Sequence, residues 1–314
     1  MIVFTSTLSQ MGFLAVLIAV GYCLTKFKLV PDNGTEVLSK LENWVFIPCL
    51  CLGTFMQNFT VESLSTAWQY VLCGLVTVTL SIPVAVLVSK ASSRDKYIQN
   101  IYTYGLSFSN FGFMGNAVVS ALFPDIFDEY LIFVLPFWIY IYMWGVPSLL
   151  MPHEEGKKTV SARLKPLLNP MLIGMLVGII IGICNIPTPQ FLTSSISTLG
   201  SCMSPVAMLL TGMTVAKTDL LSMFKKTSVY IVSAVRLLAM PLVAVALFIF
   251  LKLPYGLMLC TVCALAMPLG LNTIVIPNAY GKDTSVAASM ALISHLASIG
   301  TIPLVFMLFQ MLVK

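Results

Sequence analysis

The sequence predicts an all-α polytopic membrane protein: ten transmembrane helices arranged as two inverted five-helix repeats, with broken helices 4 and 9 crossing near the midplane. Three observations predict it. The 314 residues are 58% hydrophobic and only 9% charged, with a mean hydropathy of +0.96, a balance that a water-exposed domain cannot carry. Apolar runs of about 20 residues, the length that crosses a bilayer, fill nearly the whole chain. Two of these runs are interrupted at their centres, at Phe108-Ser109-Asn110-Phe111-Gly112-Phe113-Met114-Gly115-Asn116 and again at Met267-Pro268-Leu269-Gly270-Leu271-Asn272. In hydrocarbon, backbone groups freed by such breaks are tolerable only where protein or a hydrated cavity satisfies them. Matching breaks in two halves are the sequence pointer to a transporter's central site.

Taken in order, the runs lie at about 5–25, 36–57, 66–89, 98–122, 129–150, 167–184, 191–215, 227–250, 255–279 and 284–312. The first, from Leu8 to Leu24, has no basic residue before it and no small-residue cleavage site, so it is expected to be a retained helix rather than a signal peptide. Residues 1–150 form the first repeat, 151–166 a cytoplasmic loop containing His153-Glu154-Glu155-Gly156-Lys157-Lys158, and 167–314 the second repeat. Loops after odd-numbered spans hold Lys26, Lys28, Lys40, Lys90, Arg94, Lys96, Lys157, Lys158, Arg163, Lys165, Lys217, Lys225, Lys226 and Lys282, whereas the other side holds Lys252 and Lys314. Basic residues stay cytoplasmic, so both termini are expected outside the cytoplasmic membrane. Five spans per half then make the second repeat inverted. The halves also correspond residue by residue: Asn116 with Asn272, Pro147 with Pro303, Pro48 with Pro205, Pro83 with Pro241, and Gly21-x-Cys23 with Gly182-x-Cys184. All eight cysteines fall within apolar runs, where a thiol behaves as a small hydrophobe. Cys260-x-x-Cys263 lacks a second ligand pair, so no metal or redox role is expected for it.

The site expected from these features is the crossing of spans four and nine. Each break opens a new helix N-terminus, with unpaired N–H donors and about half a positive charge, and two facing ones make a seat for an anion. Gly112 and Gly115 on one side, and Pro268 and Leu271 on the other, shape the breaks. Asn110, Asn116 and Asn272 add amides that can either donate to a carboxylate or bond the freed backbone. Arg236 is the one basic residue deep within a span, about 15 Å of helix beyond Lys225-Lys226. A charge there demands a partner. Two are open to it: carbonyls at the ends of the half-helices, or an anionic substrate. His295, with Ser294 and Ser298 on the same helix, is the candidate for coupling, as a proton relay or as a satisfied core histidine. Glu42 lies near the cytoplasmic end of span two, and no acidic residue is expected at the depth of Arg236, so coupling of the usual carboxylate type has nothing to build on.

Other classes fit poorly. An intramembrane protease needs paired Asp, Ser/His or metal-binding His/Glu within the membrane, and the sequence offers none of them. The chain leaves no room for a catalytic or nucleic-acid-binding domain of ordinary size. The expected partners are a small organic anion and membrane lipid, with a homodimer left open; no nucleic acid, cofactor or metal is expected. The expected function is alternating-access transport of a small organic anion. A channel-like anion facilitator and a cation-coupled symporter of another metabolite are the alternatives.

Over almost its whole length the chain resembles the auxin efflux carrier family, which includes the plant PIN carriers and bacterial malonate and malate permeases. The marks are Val235-Arg236-Leu237-Leu238-Ala239-Met240-Pro241, Ala266-Met267-Pro268, Asn278-Ala279-Tyr280-Gly281-Lys282-Asp283, Ser298-x-x-Thr301-Ile302-Pro303, and Asn110 through Met114-Gly115. The resemblance implies the fold of bile-acid symporters, with spans one, two, six and seven as a scaffold. Spans three to five and eight to ten would then form a mobile domain that moves as an elevator. It also implies that Asn110 is the residue that meets the substrate carboxylate and that Pro268 is the proline of the second crossover. Plant carriers usually have Pro at the positions of Ser109 and Ala117, so here the first break is expected to rest on Gly112 and Gly115. His295 stands where many bacterial members have a small hydroxyl residue. The short loop after span five implies a bacterial-type member.

Overall fold

A computed structural model of the chain describes residues 2–59, 61–151, 170–217 and 224–313. The charged part of the expected cytoplasmic loop, including Lys157 and Lys158, lies outside the described residues. The first half holds α1 (Ile2–Lys26), α2 (Gly34–Leu41), α3 (Ile47–Asn58), α4 (Val61–Ser92), α5 (Lys96–Ser107), α6 (Asn116–Leu122), α7 (Phe127–Phe133) and α8 (Leu135–Tyr140). The second holds α9 (Pro170–Ile183), α10 (Gln190–Ser201), α11 (Met203–Ala216), α12 (Thr227–Ala234), α13 (Met240–Leu251), α14 (Tyr255–Ala266), α15 (Asn272–Ala279) and α16 (Ser285–Leu312). Among the described residues the one β-type pairing is an isolated antiparallel bridge between Ser109 and Leu269.

Six described helical stretches are long and apolar enough to cross a membrane: Leu8–Lys26, Ala67–Ser92, Pro124–Leu150, Gln190–Ala216, Thr227–Leu251 and Ser285–Leu312. Shorter apolar helices run over Phe111–Leu122, Pro170–Ile183 and Tyr255–Ala266. Large apolar side chains point outward, with Leu87 70% and Phe250 82% exposed. An outer surface of that kind belongs in lipid rather than water. The protein is thus a helical, polytopic membrane protein. The four expected spans missing from the long set contain the two broken helices, the short α9, and the segment of α2 and α3.

Besides the segment Phe111–Gly115, three described helices contain wide π-helical turns: Glu42–Phe46, Ile141–Leu150 and Val235–Ala239. Proline explains their placement. Pro48 and Pro241 stand two residues after the first and third, and Pro147 sits inside the second. A proline ring clashes with the carbonyl four residues earlier and offers no N–H, so the preceding turn opens to a five-residue spacing rather than ending the helix.

α1 lies along α11, and α3 lies against α9 and α10. α4 packs on α5, α7 and α8, while α13 and α14 pack together and α12 lies against α16. The broken segments fall at the centre of the buried core, where Tyr104, Phe108, Phe111, Tyr130, Phe137 and Met267 are each 0–1% exposed.

Candidate functional site

Pro268 makes the second break. The residue before a proline is driven out of the helical region, and Met267 accordingly adopts an extended conformation (φ −67°, ψ 148°) that ends α14. The chain restarts as α15 four residues later, with the Leu271 carbonyl accepting from the amides of Ile274 and Val275. The first break has no proline and is held open by the second. The Asn110 amide donates to the Pro268 carbonyl at 2.8 Å, and Ser109 pairs with Leu269 across the bridge. Phe108 is extended (φ −119°, ψ 98°). The helix then restarts in the π turn Phe111–Gly115, with the Asn110 carbonyl accepting from Met114 and Gly115.

Here the structure differs from the sequence expectation. The first break lies at Phe108–Asn110, and Gly112 and Gly115 come after it, inside helical backbone. Gly115 serves close packing instead: a Cβ there would collide with the Tyr130 hydroxyl, which donates to the Phe111 carbonyl at 3.0 Å. Gly112 faces the Trp138 ring. The glycine on which the crossing itself depends is Gly270, where a Cβ would run into the Phe108 carbonyl oxygen.

Arg236 lies under the crossing, on the π turn Val235–Ala239, with no exposure to solvent. Its Nη1 donates to the Leu106 carbonyl at 2.9 Å, Nη2 to the Ala264 carbonyl at 2.8 Å, and Nε to the Met267 carbonyl at 3.3 Å. These are the orphan carbonyls at the C-terminal ends of α5 and α14. Ser109 Oγ adds a 2.6 Å bond to the Ala264 carbonyl. Of the two roles open to Arg236, the geometry places it on the carbonyls, where its charge offsets the negative ends of both half-helices. The positive ends, at Phe111 and Asn272, carry no acidic side chain in their first turns.

The three asparagines differ. Asn110 is 1% exposed, and its Nδ2 lies 2.9 Å from His295 Nε2. Asn272 is 5% exposed, and its Nδ2 donates to the Tyr104 hydroxyl at 3.0 Å. Asn116, half-buried, opens α6. The amide oxygen of each is buried and has no hydrogen-bond partner among the described residues. His295 sits on α16, with Nδ1 2.7 Å from the Ala291 carbonyl. Ser294 accepts from the Leu269 amide at 3.4 Å, so it supports the second break, whereas Ser298 donates to the His295 carbonyl at 2.7 Å and stays within its own helix. The crossing thus gathers Asn110, Asn272, Pro268, Leu271, Arg236, His295 and Ser294.

Sequence reasoning missed Tyr104 and Tyr130, which hold Asn272 and the restarted helix, and Ser204 of α11, which donates to the Phe113 carbonyl. Tyr104 was the one with a signal: Tyr102-Thr103-Tyr104 is a polar run within an apolar span, one turn before the break. Two small cavities adjoin the crossing. One, of about 10 Å³, lies between Tyr104, Trp138, Leu271 and Asn272. The other, of about 50 Å³, separates His295 and Met114 from Leu14 and Ile18 of α1 and Thr211 of α11. Among the described residues no group of His, Cys, Asp and Glu is placed to hold a metal ion.

Compared with curated proteins, the chain matches none of them. The family comparison does find a match: the model described as "membrane transport protein" matches residues 6–306, nearly the whole chain, including both breaks, Arg236 and His295. The chain therefore belongs to the membrane transport protein family, that of the auxin efflux carriers.

Proposed function

We propose that the protein is a secondary transporter that carries a small organic anion, a carboxylate, through the crossing of its two broken helices by alternating access. The observation that carries this reading is the asymmetry of charge at the crossing. Arg236 satisfies the carbonyl ends of α5 and α14, while the opposed amino ends at Phe111 and Asn272 have buried asparagine amides beside them and no anion of the protein's own. A low-dielectric site with that sign attracts an anion and rejects a cation.

In this reading Asn110 and Asn272 donate to the carboxylate and Asn116 assists from the first turn of α6. Gly112, Gly115, Pro268 and Leu271 shape the seat. Arg236 contributes potential without contact. The ten-span inverted-repeat topology belongs to the same reading, as does the division into a scaffold of spans one, two, six and seven and a mobile domain of spans three to five and eight to ten. It is supported by the packing of α1 on α11 and of α3 on α9 and α10. The cavities of about 10 and about 50 Å³ beside the crossing are smaller than an organic acid, so in this reading the crossing opens to admit the anion.

The test is a thermal-shift screen of the purified protein with lactate, malate, malonate and indole-3-acetate, each beside its uncharged amide. Stabilisation by at least one acid and not by its amide is expected. Equal response to acid and amide, or response to organic cations instead, would refute the anion site.

A further inference from the structure

We propose that His295 is a proton site whose charge decides which face of the Asn110 amide is offered to the anion, so that a proton and an anion bind as a pair. The inference rests on the crossing being the anion site and adds how that site is regulated.

The chemistry starts at the ring. Nδ1 lies 2.7 Å from the Ala291 carbonyl, and a carbonyl only accepts, so Nδ1 carries a proton. In the neutral ring Nε2 is then a bare lone pair. The Asn110 group 2.9 Å away must be its NH₂. The amide oxygen is thereby turned from the ring, buried and unpartnered among the described residues. With His295 neutral, Asn110 therefore offers the site an acceptor, which repels a carboxylate.

One proton added to Nε2 reverses this. The ring now donates from both nitrogens, and Asn110 satisfies Nε2–H only with its oxygen. A half-turn of the terminal amide, whose two ends are nearly equal in size, pairs the orphan oxygen and frees the NH₂ to donate to the anion. The N–H bond at Nε2 is the bond formed, and the bond broken is the one that held the proton to hydronium or to the buffer acid. A monocarboxylate and its proton together add no net charge.

Neither partner binds well alone, because an anion without the proton meets the amide oxygen and a proton without the anion adds a second buried cation near Arg236. Among the described residues, the helices packed against α16 carry no Asp or Glu as another counter-charge. Leu14 and Ile18 from α1, Thr211 from α11 and Met114 do not titrate. The π turn Val235–Ala239, packed on α16, brings Arg236, and α12 before it brings Tyr230. α1 brings Tyr22, Cys23 and Lys26, α14 brings Tyr255, Cys260 and Cys263, α5 brings Lys96, Tyr97, Tyr102 and Tyr104, and α13 and α15 bring no charged residue. Coupling of this kind is reciprocal: each ligand raises the affinity for the other.

The test is isothermal titration of lactate, malate and indole-3-acetate into the full chain in lipid nanodiscs, between about pH 5 and about pH 8, in two buffers of different ionisation enthalpy. Affinity should rise on acidification by up to about tenfold per pH unit, with about one proton taken up per anion at the high-pH end. His295→Gln, which keeps hydrogen-bonding capacity but cannot titrate, should leave binding flat in pH with no proton uptake. The buffer comparison on the unaltered protein stands even if that variant fails to fold. Binding without pH dependence or proton uptake would overturn this inference alone, as would a pH slope that survives His295→Gln and vanishes in Glu42→Gln. Failure of all three acids to bind at any pH would overturn the anion reading, and this inference with it.

Discussion

Asn110 and Arg236 sit within a few residues of the same break yet do opposite work, and substitution separates them. In the proposed function Asn110 gives one hydrogen bond to a charged ligand, worth about 1.5–3 kcal/mol, so Asn110→Ala should weaken anion binding roughly ten- to a hundredfold. Its effect on folding should be smaller, because its own amide oxygen is already unpaired. Arg236→Gln takes the guanidinium donors from the buried carbonyls of Leu106 and Met267 and one of two donors from Ala264, which keeps Ser109 Oγ, and each acceptor left bare costs about 1–3 kcal/mol. The melting temperature should fall steeply, and Arg236→Lys should recover only part of it, since one ammonium cannot fork across two helix ends. Melting curves with and without the best-binding acid distinguish the two: Asn110→Ala should lose the ligand shift and keep the fold, Arg236→Gln the reverse order of severity. From the residue pattern, a buried Arg with no acid at its depth was legible. Its choice of carbonyls over substrate was not, because that depends on where two half-helices end in space.

At the scale of elements, the crossing is a short piece of shared extended backbone: Pro268 fixes one strand of it, and the Asn110 amide and the Ser109–Leu269 bridge copy that shape into the other. Gly270→Ala should therefore push the two breaks apart, since its Cβ would strike the Phe108 carbonyl. Loss of anion response with lowered stability is expected. Gly300→Ala, on α16 with nothing within 4 Å of a new Cβ, should be neutral or stabilise by about 0.5–1 kcal/mol as helical Gly→Ala changes do. Equal melting behaviour of the two variants would disprove the templating argument. The second break could be read from the sequence because Met-Pro acts locally. The first was located a few residues late, at its glycines, because the bend at Phe108–Asn110 is imposed by a segment about 160 residues away. The π turns went unread although Pro48, Pro147 and Pro241 mark them. A proline within an apolar run does not by itself say whether a helix stops, kinks or widens, and packing decides. Glu42, on the first of these turns, is fully buried with both carboxyl oxygens unpartnered among the described residues. Removing an unpaired buried acid relieves a cost, so Glu42→Gln should raise the melting temperature or leave it unchanged, and a fall would show that the carboxyl group makes a stabilising contact.

For the whole molecule, composition alone was enough to place the chain in a membrane and its order of motifs enough to place it in its family. The number of crossings is harder, because a helix broken at its centre is too short on either side to register as a span. The orientation rests on charge. Of the seventeen basic residues, fourteen fall in loops after odd-numbered spans, two on the other side, and Arg236 within a span. Lys and Arg resist translocation, so the proposed topology has the fourteen in the cytoplasm and both termini outside. In that proposed topology the two five-span halves are inverted, and the amino ends of broken helices 4 and 9 would face each other rather than point the same way. Lys252, after α13, and Lys157, in the loop between the halves, then lie on opposite sides of the membrane. With the exposed native thiols Cys23 and Cys184 replaced by Ser, a membrane-impermeant maleimide should label Lys252→Cys on intact cells and Lys157→Cys only after lysis. Labelling of both from outside, or the reverse pattern, would undo the inverted repeat. The two half-helix amino ends would then have no reason to converge on one anion, and the transport reading would have to find its site elsewhere.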